Sequence, residues 1–562
     1  VLKNEGKSSI SIRRLMSLEI DFAGTTFTAS TFDGHWARER QRHDHIMNVG
    51  LFVNDSKQGS SSSTHNPYVL LTNNQLAGCY AFNLVYSGNH KEIIEATVLD
   101  QTHVLIGMSD FLFDWTLEAG ESFCTPQAVA AYAVDETGVI AAMHTFVSNH
   151  ILPEKWAHVD RPVLINNWEA TYFNFNEQRI SELAGIAAGV GIELFVLDDG
   201  WFGARDDDRR ALGDWFDNIK KTGGGLGSLS AKIREKGLKF GIWVEPEMIN
   251  EDSDLFRAHP EFAMRVPGKE PTRMRNQLML DIANPVVQDY VIKTMTDVFT
   301  RCQADYVKWD YNRVICDVYS ESVPNCGEYL HRYLLGLYRI MRELTRKFPA
   351  VLFESCAGGG SRYDLGLFCF MPQTWASDNT DAYERLFIQE GTMQAYPQNT
   401  MGSHVSICPN HQTGNSTPLE TRFNVAAAGM FGYEMDLTKS TAEDLETIRR
   451  QVVFYKRHRT LLQRGRYIRL SSIFKSDYAA WIVVSEDRSE AMVTLVGTHA
   501  KSGKENLRVR LQGLDESAEY AVEMREQTNL DQILRTTVRG DILCRGAIDF
   551  GYLFSEKDRR AS

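Results

Sequence analysis

The chain has 562 residues, 43% hydrophobic and 24% charged, a balance that rules out a disordered, collagen-like or small disulfide-scaffold protein. At about 150 residues per domain, the length holds three or four domains, fewer if one is a large barrel. Lys and Arg number 60 against 73 Asp and Glu, a formal charge of −13 with no long basic block. That balance argues against partnership with nucleic acid or an anionic membrane and favours a neutral substrate.

No apolar run reaches the roughly 18–20 residues of a membrane span. The opening VLKNEGKSSI carries neither an initiator Met nor the apolar stretch of a signal peptide, so the expectation is a processed chain or one lacking its true start. Nine cysteines, an odd number without CxxC spacing, argue against a zinc ribbon or a disulfide framework. Two glycosylation tripeptides, at Asn54 and Asn415, permit secretion without establishing it, so the compartment stays open.

In chain order, residues 1–155 alternate short β-type runs with turn residues, as in EIDFAGTTFTAST, NPYVLLTN, CYAFNLVYSGN, EATVLD and AVAAYAV. This texture predicts a β-sandwich, interrupted by an exposed Ser-rich loop at 55–68. From 156 to 465 apolar strands alternate with amphipathic helices. The strands fall at 163–168, 193–199, 239–246, 305–310, 351–357, 373–378, 402–406 and 433–437. Parallel strands need helical crossovers, and eight of them in about 300 residues predict a closed (β/α)8 TIM barrel in an α/β fold. An open doubly wound sheet is the second choice. After a helix near 441–463 the texture returns to β, predicting a C-terminal antiparallel β-domain over 466–562.

The strand ends carry the chemistry. Asp198 and Asp199, Trp243 with Glu245 and Glu247, Lys308 with Asp310, Cys356, and Asp378 all stand where barrel strands finish. Any one carboxylate there could simply cap the next helix. Several converging on one rim point to an active site. Paired carboxylates among aromatics, without a phosphate loop, fit glycoside hydrolysis, and Trp168, Trp201, Trp243, Trp309 and Trp375 offer faces for a sugar, about half of them belonging to the core. The glycine-rich stretches 223–228 and 357–362 lack nucleotide-binding spacing. The acidic run Asp206–Asp208 reads as solvated loop, so no metal and no other cofactor is expected; His404 reads as a structural histidine.

Long blocks now become recognisable. NNWEATYF (166–173), LDDGWFG (197–203), KFGIWVEPEMIN (239–250), RNQLMLD (275–281), YVKWDYNR (306–313), ESCAGGGSRYDLG (354–366), WASDNTDAYERLFIQEGT (375–392) and MGSHVS (401–406) occur in this order. They resemble the melibiase-like α-galactosidases of glycoside hydrolase family 36, and DGHWARER and GSSSSTHNPY resemble that family's N-terminal sandwich.

The resemblance implies a retaining α-galactosidase acting on terminal α-galactosides such as melibiose and raffinose by double displacement. Carried over, Asp310 is the nucleophile and Asp378 the acid/base, a pair about 5–5.5 Å apart in most retaining enzymes. Lys308, on the same strand face as Asp310, would keep it ionised, and Asp310 would in turn raise the proton affinity of Asp378. Asp381 is the rival acid, otherwise a helix cap or a partner of Arg385. Asp198 and Asp199 would bind hydroxyls around C4 and C6, while Trp243, Arg275, Lys308, Asn312, Cys356 and Gly359 would line the cup and Trp168 wall the leaving-group side. Cys356 has no His partner and is read as a contact, not a nucleophile.

The resemblance also implies a homo-tetramer in the full-length form. Set against that resemblance, the chain is expected to begin partway into the N-terminal sandwich, which predicts poor assembly of a uniform tetramer. Competing expectations are an α-N-acetylgalactosaminidase or galactosyl transferase of the same family, and a catalytically silent galactoside-binding protein.

Overall fold

The computed structural model describes residues 1–499, 508–525 and 533–549. The first 133 residues form two large antiparallel sheets, with two short two-stranded ones, Leu2–Lys3 with Ser122–Phe123 and Ile10–Ile12 with Trp115–Leu117, beside them. One has four strands in the order Met16–Ala23, Gln101–Met108, His90–Ala96, Gly50–Asp55; the other has five, Ala128–Ala133, Cys79–Leu84, Val69–Asn73, Phe27–His35, Arg38–Ile46.

Alternation decides which face each side chain takes. Val69, Leu71, Phe82 and Leu84 point into a core shared with Ile94, Val104 and Ile106 of the facing sheet. Their neighbours Leu70, Ala81 and Phe32 point the other way, into a second core with Tyr363, Leu386, Met393 and Tyr396. The five-stranded sheet is therefore buried on both faces around its centre, where Val69–Asn73 and Cys79–Leu84 read as apolar runs, while its edge strand Arg38–Ile46 is polar.

Two expectations fail in this region. EATVLD (95–100) is not a strand: pairing ends at Ala96, and Thr97–Asp100 turn the chain so that the Thr97 N–H donates to Gln101 O at 2.8 Å. The Ser-rich loop is not exposed either. Ser60 and Ser61 are fully buried, with Ser62 Oγ donating to Gly360 O at 2.7 Å and the Ser61 hydroxyl donating to Asp364. Serines read as solvent-facing because they are polar; here they satisfy backbone and carboxylate groups at a domain junction. Asn54 is buried too, its amide donating to Asn66 O at 2.9 Å and Glu92 Oε2 at 2.7 Å, which leaves no room for a glycan.

Eight parallel strands close a barrel: β1 (Leu164–Asn166), β2 (Leu194–Leu197), β3 (Lys239–Val244), β4 (Tyr306–Trp309), β5 (Leu352–Ser355), β6 (Gln373–Trp375), β7 (Met401–Ser406) and β8 (Met430–Glu434). β8 lies three residues before the expected 433–437. MFGYE is the buried, pairing segment, and Asp436 instead caps the turn that follows. Some crossover helices start on side-chain caps, as Asn176 does for Glu177–Gly189 and Asn284, followed by Pro285, for Pro285–Cys302, whereas Leu226–Arg234, Tyr329–Lys347 and Leu419–Ala426 start without one.

Helix Ala442–Arg464 opens on a Thr441–Asp444 capping box and leads into an antiparallel sheet of Arg466–Ser471, Tyr478–Val484 and Ala491–Gly497, followed by a hairpin pairing Glu519–Arg525 with Ile533–Arg539. The start of the expected strand NLRVRLQG, at 506–507, lies outside the described residues, as does 550–562. All nine cysteines are unpaired. Among the described residues no helix is long and apolar enough to cross a membrane.

Candidate active site

Parallel register carries the strand ends to one rim. Asp310 follows β4 directly and Cys356 follows β5, while Asp198 and Asp199 follow β2 and Asp378 lies three residues beyond β6. Asp310 is buried and fully engaged. Its Oδ2 accepts from Asn312 Nδ2 at 2.7 Å and Trp243 Nε1 at 3.1 Å, and its Oδ1 accepts from the Tyr311 N–H at 2.8 Å. Burial pushes its proton affinity up, yet Lys308, the Asn312 amide, Arg275 and the Cys356 thiol outweigh that and hold it below the usual carboxylate range.

Asp378 has the opposite balance. Its Oδ2 accepts a single side-chain bond, from Trp36 Nε1 at 2.9 Å. Burial and then the charge of Asp310 raise its proton affinity, only partly offset by Trp36, Lys308 and Arg275. Two carboxyls within reach of each other's charge are thus pushed apart, one towards the bare form and one towards the protonated form.

Lys308 Nζ donates to Asp198 Oδ2 at 3.0 Å, and the charges of Asp198, Glu434 and Asp310 keep it protonated against the cost of its burial. Asn166 Nδ2 donates to the same Asp198 oxygen at 2.6 Å. Asp199 is gripped by Arg205, whose Nη2 and Nε stand 2.8 and 3.0 Å from its two oxygens. Both acids are buried beside cations, and their free lone pairs can accept hydroxyl hydrogens from a ligand.

Trp243 and Cys356 are buried at the rim, and Trp168 is half-buried, its ring edge-on to Tyr172 and Phe173. Burial and Asp310 hold the Cys356 group as a neutral thiol. Arg275 is exposed and sits in the left-handed region at φ 51°, with Asn276 at 58°. Gly359 (φ 81°) passes so close to Asp378 that a Cβ there would lie 2.9 Å from its backbone nitrogen. Trp201 and Trp309 are core, their indoles donating to Trp243 O and Glu247 Oε1 at 2.9 Å.

Asp381 caps helix Ala382–Ala395 by accepting from the Tyr383 N–H at 2.8 Å. Its second oxygen takes Asn415 Nδ2 at 2.6 Å and the Thr413 hydroxyl, and not Arg385, whose guanidinium donates to the carbonyls of Asn379, Ser377 and Gly402. His404 pairs with Glu434 at 2.9 Å.

Several residues at the rim escaped the sequence reading. Trp36 and Glu39 come from the N-terminal sandwich, and only the odd Trp among charges in DGHWARER signalled them. Glu245, read in the sequence as a strand-end acid but given no role, follows β3 and accepts from the Asn312 N–H at 2.7 Å and Gln277 Nε2 at 3.0 Å; burial and Asp310 push it up to about 8. Glu434 ends β8, and its charge, with burial, keeps a proton on Glu169 beside Trp168. The misplaced eighth strand hid that acid.

Comparison with known proteins agrees along most of the chain. The family profile described as Melibiase matches residues 122–465, and the N- and C-terminal domain profiles of glycosyl hydrolase family 36 match 1–118 and 478–551. The chain is 43% identical over 528 residues to alpha-galactosidase AgaA of Geobacillus stearothermophilus, covering 93% of this chain and 72% of that one. To alpha-galactosidase 1 of Pediococcus pentosaceus it is 41% identical, covering 92% and 72%. A crystal structure of an AgaA variant in complex with raffinose superposes with a TM-score of 0.94 at 42% identity, over 97% of this chain and 76% of that one. With the barrel rim and its two unlike carboxyls already in place, the conclusion is direct: the chain belongs to glycoside hydrolase family 36, the melibiase family.

Proposed function

We infer that this protein is a retaining α-galactosidase that hydrolyses terminal α-galactosides, raffinose-type oligosaccharides among them. The observation that carries the reading is the unlike pair at the rim: Asp310 held bare by Lys308, Asn312 and Arg275, and Asp378 held towards its protonated form by burial and by Asp310.

In the first step an Asp310 oxygen attacks the anomeric carbon while the Asp378 proton passes to the glycosidic oxygen, and the leaving sugar departs as an alcohol. In the second step Asp378, now a carboxylate, takes a proton from water, whose oxygen attacks the same carbon and frees Asp310. Two inversions retain the configuration. Asp198 and Asp199 accept the hydroxyls around C4 and C6. A substrate whose 4-hydroxyl points the other way leaves those buried carboxylates unpaired, which is how galactose is told from glucose.

Arg275, Lys308, Asn312, Cys356 and Gly359 shape the cup, Trp243 backs Asp310, and Trp168 walls the leaving-group side. The homo-tetramer implied by family resemblance belongs to this proposal, and light scattering reads it.

Asp310→Ala is expected to lose at least about 10⁴-fold in kcat while still binding galactose. Asp378→Asn is expected to lose about 10²–10⁴-fold on raffinose-type substrates and much less on a nitrophenyl galactoside, whose leaving group needs little protonation. A fully active Asp310→Ala variant would overturn the reading. Faster turnover of the N-acetylgalactosaminide would reassign the substrate.

A further inference from the structure

The turn joining strands Phe27–His35 and Arg38–Ile46 belongs to the sandwich, yet it forms part of the barrel rim. Trp36 Nε1 donates to Asp378, Asn379 Nδ2 donates back to Ala37 O at 3.1 Å, and the Arg40 guanidinium donates to Gly360 O at 3.2 Å and to Ala376 O. The turn is costly to hold: Ala37 and Arg40 both adopt left-handed backbone, at φ 65° and 50°.

Between them lies Glu39, 3% exposed. Its Oε1 accepts the Ala37 N–H at 3.3 Å, and its Oε2 is buried without a hydrogen-bond partner. A Cβ built on Gly359 would stand 2.6 Å from Glu39 Oε1 and 2.9 Å from the Asp378 nitrogen, so the glutamate and Asp378 flank the same bare glycine. A carboxyl with an orphan oxygen is a poor choice for packing, because an apolar side chain of that size avoids the desolvation cost.

We propose that Glu39 is a positioning residue for the acid/base step: standing behind Asp378, it sets how tightly Asp378 holds its proton. The proposal rests on the assignment of Asp378 as acid/base. The charged groups facing Glu39 are Arg40 on its own strand, Arg385 from helix Ala382–Ala395, and Asp378; Ser377, in the loop after β6, lowers its proton affinity. Asp378 also faces Asp310, Lys308 and Arg275. Burial, opposed by Arg40 and Ser377 and reinforced by Asp378, pushes Glu39 up to about 7. Repulsion between two carboxylates is mutual, so an ionised Glu39 raises the proton affinity of Asp378 in turn, and the two titrate as a pair.

The test is the pH profile of kcat/KM for the full chain on a raffinose-type substrate. In Glu39→Gln the alkaline limb is expected to move to lower pH by about 0.5–1 unit. The acidic limb, set by Asp310, stays in place, and activity on the acidic side stays within a few-fold of wild type. Glu39→Asp, which withdraws the charge by one methylene, is expected to move the limb part of the way, and decides the matter if the Gln variant does not fold. An unmoved alkaline limb, or an equal loss at every pH, overturns the proposal. The same assay on Asp378→Asn separates the premise: full activity on raffinose-type substrates would remove Asp378 from the mechanism, and Glu39's role with it.

Discussion

Lys308 stands between two acids, Asp198 and Asp310. Its ammonium bonds Asp198 at 3.0 Å and also lowers the proton affinity of Asp310. Because the native Asp310 lies below the ordinary carboxylate range and Asp378 above it, kcat/KM should follow a bell whose plateau lies between the two. Lys308→Met removes the largest influence holding Asp310 down. The acidic limb should then rise by about 1–3 units, with galactose binding weakened because Asp198 loses its partner. An acidic limb that stays put in this variant would mean that Asp310 is not the group titrating there.

Glu245 gives a stability counterpart. Its folded-state proton affinity lies at about 8, above the ordinary 4.5, so the folded chain holds a proton that the unfolded chain releases over that window. Stability from this group is therefore full at low pH and declines as pH rises towards 8. Glu245→Gln should flatten that part of a Tm-against-pH curve; an unchanged slope would contradict the assignment.

At the scale of elements, the loops after β5 and β6 meet at Gly359, where bare backbone lets Glu39 and Asp378 approach. Gly359→Ala should cost about 1–3 kcal/mol from the left-handed backbone alone, with a further loss of kcat as the new methyl displaces Asp378. Thermal unfolding and kinetics on the same preparation read both.

This scale also shows what sequence could and could not tell. The rim acids were legible because a strand of a parallel barrel ends at a fixed place, and an Asp after an apolar run marks it. β8 was misplaced because YEMDL is as apolar as MFGYE, and a short apolar run carries no internal marker of where pairing starts. The buried serines and the turn carrying Trp36 and Glu39 were not legible as site residues. Their surroundings are made by residues more than 300 positions away, such as Tyr363 and Asp378.

Across the whole molecule, the sandwich and the barrel are one functional body. The core that holds Phe27 and Val104 continues without a break to Ile165 and Phe195 of the barrel, and the five-stranded sheet packs its outer face on Tyr363 and Tyr396. Removing residues 1–118 would uncover Tyr363 and Tyr396 and strip Trp36 and Glu39 from the rim. The remaining chain should be inactive and aggregation-prone, not a smaller working enzyme. An active, monodisperse barrel fragment would show that the sandwich is dispensable.

The central claim is that Asp310 is the carboxylate that bonds to the sugar, and a trapped intermediate tests it most directly. Incubation with a slow fluorinated α-galactosyl donor, followed by proteolysis and mass spectrometry, should place one galactosyl label on the peptide containing Asp310. A label on Asp378 or another acid, or turnover to β-galactose without any covalent adduct, would contradict it.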